Sequence, residues 1–342
     1  MNKSPIYKRR KKKLRPSIVF ACFALIIALV FMSGVLIYKA VTDKDDAEHT
    51  QNEKLPDNTL DTSNTNPDPS SKPSPEKPSG DASDNTISFV AVGDNLIHEA
   101  IINDAARLAT EHGRDEEYYF DPMYENFYDL LHSADIAFIN QETMIAGDSF
   151  PISGYPNFNT PREMIKTLER YGIDVANLAT NHALDLSGKG LSNCIEEFEN
   201  SSITTIGAYK DKADEENIRI IERDGVKIAF LAYTYSTNGY TPGNSYPTLT
   251  VPYINHDKMK KDVARAKEAA DLVFVSMHWG EEGYFDLSYD QKAAAQVLVD
   301  AGVDVIIGTH PHVLQEIKWK ERPDGKKTLI AYSLGNFIST MH

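Results

Sequence analysis

The chain has 342 residues, 41% hydrophobic and 25% charged, which is a globular composition; wholesale disorder, collagen and coiled coil are excluded. Its formal charge of −15 hides an asymmetry, because residues 1–16 carry eight Lys or Arg and no acid, leaving −23 on the remainder. So acidic a body lacks the Lys and Arg that phosphate contact requires, and nucleic acid is excluded as a partner. Cys22 and Cys194 are the only cysteines, so neither a disulfide framework nor a Cys-based zinc motif is present.

In chain order, the basic segment 1–16 is followed by Ser17–Tyr38, 22 residues without a charge, and then by Lys39. That run is long enough to span a ~30 Å hydrocarbon core as a helix. It exceeds a typical signal-peptide apolar region, and no A-x-A-like cleavage site follows it. Residues 17–39 therefore read as an uncleaved, single-pass signal anchor. Lys and Arg before the span place residues 1–16 in the cytoplasm and the C-terminal domain outside the cell membrane. Residues 40–86 are dominated by Asp, Asn, Ser, Thr, Pro, Lys and Glu, with six of the 17 prolines between Pro56 and Pro78. Such a segment buries too little to offset its ordering entropy, so it predicts a disordered spacer.

The character changes at Ile87. Strand-like runs at 87–92, 135–140, 174–179, 227–233, 271–277, 304–308 and 328–334 alternate with amphipathic stretches at 161–171, 188–200, 257–269 and 288–301. For the first of these stretches Thr160 is the expected N-cap, with Pro161 at the first helical position and Glu163 at the third. Asp224-Gly225 and Asp324-Gly325 each separate two strand-like runs and predict hairpins. Residues 87–342 are thus expected to form an α/β layered domain, with a mixed rather than purely parallel sheet.

In an open α/β sheet, ligands bind beyond the carboxyl ends of strands. Five strand-like runs end on Asp94, Glu142, Asn181-His182, His278 and His310-Pro311-His312. Singly, each is an ordinary turn former or a partly buried histidine. Together they offer carboxylate, imidazole and amide oxygen, which suits Mn, Zn or Fe, whereas calcium sites use oxygen alone. Two divalent ions ~3.5–4 Å apart need this inventory, including one carboxylate to bridge them. Other chemistries are not encoded: there is no G-x-S-x-G elbow, no Walker A sequence and no G-x-G-x-x-G after a strand.

The ordered motifs VGDNLI, FINQET, LATNHALDLSG, VSMHWGEE, GTHPHVLQ and YSLGNF, spread over roughly 87–340, resemble the bacterial capsule-synthesis CapA family of poly-γ-glutamate synthesis accessory proteins. That family is similar to the calcineurin-like metallophosphoesterases. The resemblance implies a mixed-sheet β-sandwich flanked by helices, with a dinuclear metal site. It implies Asp94 as a first-metal carboxylate, Glu142 in the bridging position, Asn181, His278 and His310 at the second metal, and His312 at the first. His182 matches the histidine that approaches the substrate oxygen, and Asp185 completes the catalytic assignment. Two departures stand out: the phosphoesterase pattern opens Asp-x-His, whereas the nearest histidine here is His98, and the bridging residue is Glu in place of Asp.

Three functional readings follow from the sequence. The first is a membrane-anchored component of capsule or poly-γ-glutamate production, acting with a membrane synthase complex for an anionic polymer. The second is a metal-dependent hydrolase of a phosphoester or an amide. The third is a non-catalytic polymer-binding scaffold on the same fold. A body near −23 repels a polyglutamate chain, which counts against simple polymer binding.

Overall fold

In the computed structural model, which describes residues 86–341, eleven strands form two sheets. The expected anchor (17–39) and all but the last residue of the expected spacer (40–86) lie outside the described residues. Among the described residues no helix is long and apolar enough to cross a membrane. Strands β1 (Phe89–Asn95), β2 (Ile136–Gln141), β3 (Val175–Asn177) and β4 (Thr204–Ile206) come first in the chain. Next are β5 (Arg219–Arg223), β6 (Val226–Thr234), β7 (Leu272–His278), β8 (Val305–Thr309), β9 (Ile317–Glu321), β10 (Lys327–Ala331) and β11 (Asn336–Ile338). The five longest helices are α1 (Glu99–Glu111), α2 (Glu163–Arg170), α3 (Ser187–Glu199), α4 (His256–Ala269) and α5 (Tyr289–Ala301).

The first sheet has the order β11-β1-β2-β3-β4 and is parallel throughout. The second, β5-β6-β7-β8-β10-β9, is parallel in its centre with an antiparallel hairpin at each edge. The mixed sheet expected from the sequence is therefore the second one only. Both hairpins turn where the Asp-Gly pairs stand. Asp224 and Gly225 both take positive φ (48° and 80°), as a two-residue primed turn requires. Gly325, at φ 79°, makes the second turn.

Side-chain alternation explains the layering. On β6, Ile228, Phe230 and Ala232 join the core shared with the first sheet, while Ala229, Leu231 and Tyr233 face the core that holds α4 and α5. Phe89 of the first sheet meets Phe274 of the second edge-to-face, with centroids 4.9 Å apart. Helices α1, α2 and α3 contribute Ile101, Ile165, Leu168, Leu191 and Phe198 to the first core. All six residues of β2 are buried, as expected of a parallel strand covered on both faces. The architecture is a mixed α/β fold in which two facing sheets are flanked by helices.

Helix starts agree less closely. At α5, Ser288 and Gln291 form a reciprocal capping box, and Gly302 closes the helix at φ 91°. At α2, Thr160 is not the cap: its hydroxyl donates to Thr143 Oγ1 (2.8 Å), and the helix begins at Glu163 after a turn closed by Pro161 and Arg162 carbonyls. The hydroxyl found a buried partner in place of the helix end. Gly93 shows why β1 can reach the loop before β11, since a Cβ there would lie 1.9 Å from Gly335 O. That close approach lets Asp94 N donate to Gly335 O (2.9 Å).

Candidate metal centre

Because β1, β2, β3, β7 and β8 run parallel to their sheet neighbours, their carboxyl ends gather polar side chains at one edge of each sheet. Asp94, the last but one residue of β1, lies opposite Asn140 of β2 and Asn336 of β11, and His278 ends β7 opposite Thr309 of β8. Glu142, Asn181, His310 and His312 follow one, four, one and three residues after β2, β3, β8 and β8 respectively. Positive φ at His310 (96°) and His312 (59°) is uncommon for side-chain-bearing residues; this loop turns sharply to present both imidazoles.

Two ligand sets result, and they share Glu142. Asp94, Glu142 and His312 form one; Glu142, His278 and His310 form the other; within each set the donor atoms lie within 4.8 Å of one another. His312 Nδ1 donates to Asp94 Oδ2 and to Asn336 Oδ1, both at 3.0 Å, and its Nε2 lies 3.6 Å from Glu142 Oε1. In the second set, His278 Nε2 lies 2.9 Å from Asn181 Oδ1 and 3.7 Å from Glu142 Oε1, while its Nδ1 meets Thr309 Oγ1 at 3.0 Å. The Asn181 amide oxygen, which accepts from His278 Nε2, thus stands beside the second set. The rings of His278 and His310 are 4.8 Å apart.

Both carboxylate oxygens of Glu142 and Nδ1 of His310 are buried without a hydrogen-bond partner. Unpaired buried polar atoms carry a desolvation cost of roughly 1–3 kcal/mol each. A divalent cation bonded by these atoms removes that cost, so the donor set fits a metal. The electrostatics agree. Burial, then the Asp94 charge, push the Glu142 carboxyl well above its ordinary range. Burial, then the His310 and His312 rings, hold His278 well below its ordinary value, and burial pulls His310 down to about 3. Both imidazoles are thus neutral, the form that binds metal. At His312 burial acts downward, but the Asp94 bond and charge outweigh it and raise the ring above its ordinary value.

His182 and Asp185 make a separate unit beside this cluster. His182 Nδ1–H donates to Asp185 Oδ2 (2.8 Å), which also accepts from Phe158 N (2.9 Å). The ring is held edge-on to Phe158, with centroids 4.8 Å apart, and Nδ1 is taken up by Asp185. His98 belongs to neither ligand set: it is the N-cap residue of α1, with its ring 5.6 Å from that of Phe158. Leu96, two residues after Asp94, is buried and offers no donor. Sequence reasoning left four neighbours unassigned. Asn140 Nδ2 donates to Asp94 Oδ1 (2.8 Å), Asn336 and Thr309 fix two imidazoles, and Tyr235 packs its ring 4.5 Å from that of His310. Asn140 stands one residue before the end of β2 and Asn336 at the start of β11, within the quoted FINQET and YSLGNF motifs, a signal that could have found them.

Comparison with solved structures finds the Haemophilus influenzae NAD nucleotidase (NadN) at TM-score 0.44 and 14% identity, covering 73% of this chain and 51% of that one. The Thermus thermophilus sulfate thiohydrolase SoxB is similar at TM-score 0.41 and 13% identity, covering 73% and 49%. Among curated proteins, the capsule biosynthesis protein CapA of Bacillus anthracis is 35% identical over 189 residues, 53% of this chain and 44% of that protein. The PGA biosynthesis protein CapA of Bacillus subtilis (strain 168) is 34% identical over 191 residues, 53% and 47%. The chain thus spans about half the length of these curated relatives. Residues 88–341 match the family described as bacterial capsule synthesis protein PGA_cap, and the chain belongs to that family.

Proposed function

We propose that this protein is a membrane-anchored, extracytoplasmic accessory component of capsule or poly-γ-glutamate production, and that its domain carries a hydrolytic centre for two divalent ions. The observation that carries the second part is Glu142, a buried carboxylate with no hydrogen-bond partner, shared by two ligand sets. Bound divalent ions supply Lewis acidity toward an ester or amide oxygen and an activated water at neutral pH. Around them this chain's residues divide the work. Asp94, Glu142 and His312 would hold one ion; Glu142, Asn181, His278 and His310 would hold the other. Asp185 orients His182, whose Nε2 passes a proton to or from the substrate oxygen. Family membership and the names of the CapA relatives support the capsule role. The basic block before Ser17–Tyr38 supports the anchor, and a membrane synthase complex for an anionic polymer is the partner it would serve.

The test uses the full chain purified in detergent. Metal analysis should find divalent ions that chelation removes, and the loaded protein should cleave a phosphodiester or a γ-glutamyl amide. A chain that binds metal and turns over neither substrate class would favour the scaffold reading over the hydrolase. For the anchor, protease added to intact protoplasts should remove the domain that begins near Ile87, and full protection of it would reject that orientation.

A further inference from the structure

Glu282 lies four residues beyond the end of β7, exposed at the mouth of the centre. Its carboxylate, an imidazole nitrogen of His310 and one of His312 lie within 4.8 Å of one another, a third ligand set that overlaps both buried ones. An exposed glutamate ordinarily extends into water or pairs with a cation. Among the described residues no Lys or Arg pairs with this one, and the groups that feel its charge include Glu142, His312 and Tyr235.

The backbone around it is held in place. Gly280 takes φ 92° and Gly283 φ 76°, so the chain doubles back directly after β7. Gly283 N donates to Pro311 O (2.8 Å), which ties this turn to the residue between His310 and His312. Gln315 Nε2 donates to Tyr284 O (2.8 Å), and Gln315 Oε1 accepts from Gln291 Nε2 (2.8 Å), anchoring the turn to the first turn of α5. These bonds tie the two loops together and set the Glu282 carboxylate beside the His310 and His312 imidazoles, close enough for the buried Glu142 carboxyl to feel its charge. A divalent cation shared by these donors would make the arrangement more favourable.

We propose that Glu282 is a further metal ligand, adding a carboxylate from the solvent side to the divalent-ion centre through His310 and His312. The proposal rests on the metal reading above. Being exposed, Glu282 stays hydrated when the ion is absent, so it serves as the exchangeable ligand on the path by which an ion enters and leaves.

The adjacent Glu281 is exposed, carries the same charge and belongs to no ligand set, so it controls for electrostatics. The full chain in detergent, as wild type, Glu282→Gln and Glu281→Gln, is titrated with Mn²⁺ while free Mn²⁺ is counted by electron paramagnetic resonance. Glu282→Gln should bind about 10- to 100-fold more weakly, the size of effect seen when groups supporting a metal site are lost. Glu281→Gln should change affinity by about threefold or less, as expected of one solvated charge. The metal-free forms should melt at the same temperature. If wild type binds Mn²⁺ and the two variants bind equally well, Glu282 is not a ligand and the buried centre stands without it. If wild type binds no Mn²⁺, the metal reading itself is overturned, and this inference with it.

Discussion

His182→Ala should keep its bound metal and lose turnover by roughly the 10²–10⁴-fold that general acid–base catalysis supplies. Its ring belongs to neither ligand set, and its one strong bond is to Asp185. Removing it leaves Glu142, His278 and His310 in place but takes the proton carrier out of the pocket. His278→Ala should fail differently. It removes an imidazole flanked by Asn181 Oδ1 and Glu142 Oε1, so metal content should fall and activity with it. Metal stoichiometry, melting temperature and turnover on the same two variants separate the roles. Equal metal loss in both would show that His182 is a ligand and that the division of labour proposed above is wrong. A lower melting temperature with an unchanged rate per folded molecule would make His182 a packing residue against Phe158.

Glu142→Gln should make the metal-free protein more stable while abolishing most of the stabilisation that metal gives. In the metal-free fold, burial and Asp94 hold the Glu142 carboxyl above its ordinary value, so its protonated form is the favoured one. The unfolded chain ionises that group more readily, so stability is lost as pH rises from the ordinary carboxylate range through the raised value. Glutamine cannot ionise. The metal-free variant should therefore be more stable than wild type, by an amount that grows as pH rises above the ordinary carboxylate range. At about 2–4 °C per kcal/mol for a domain of this size, thermal melting resolves such a gain. His278 and His310 act in the opposite sense, since their depressed values withdraw stability as pH falls below the ordinary imidazole range. The difference between wild type and variant across pH removes their share and isolates Glu142. With metal at about 100 times Kd, wild type should gain about 2.7 kcal/mol, and the variant far less. An equal metal response in both would remove Glu142 from the centre.

Much of this was legible because local chemistry and global fold agree. The strand-like runs ending at 92, 140 and 277 stop within three residues of the ends of β1, β2 and β7 at Asn95, Gln141 and His278, and the Asp-Gly pairs marked both hairpins. The residues that escaped depend on distant partners. β4 and β11 are three residues long, too short to show a period, and β11 finds its place only by pairing with β1. Asn336 reaches His312 because of that pairing. Thr160 carries the right chemistry for a cap, yet a buried hydroxyl partner at Thr143 claimed it. Glu282 looks like any solvated acid until the Gly283–Pro311 bond sets it beside two imidazoles. In each case a contact between residues far apart in sequence overrode a sound local preference.

The pairing of β1 with β11 also bears on the order of events as the chain is made. Asp94 lies in the first strand, and the Asn336 that fixes its neighbour His312 lies in the last, so the centre spans almost the whole domain. A ribosome delivers Asp94 and Glu142 long before His278, His310 and Asn336. A partly synthesised chain therefore cannot hold an ion in the final geometry, and the contacts that complete it are among the slowest kind to form. On the proposed metal reading, uptake would be a late event, restricted to chains whose first and last strands have already met.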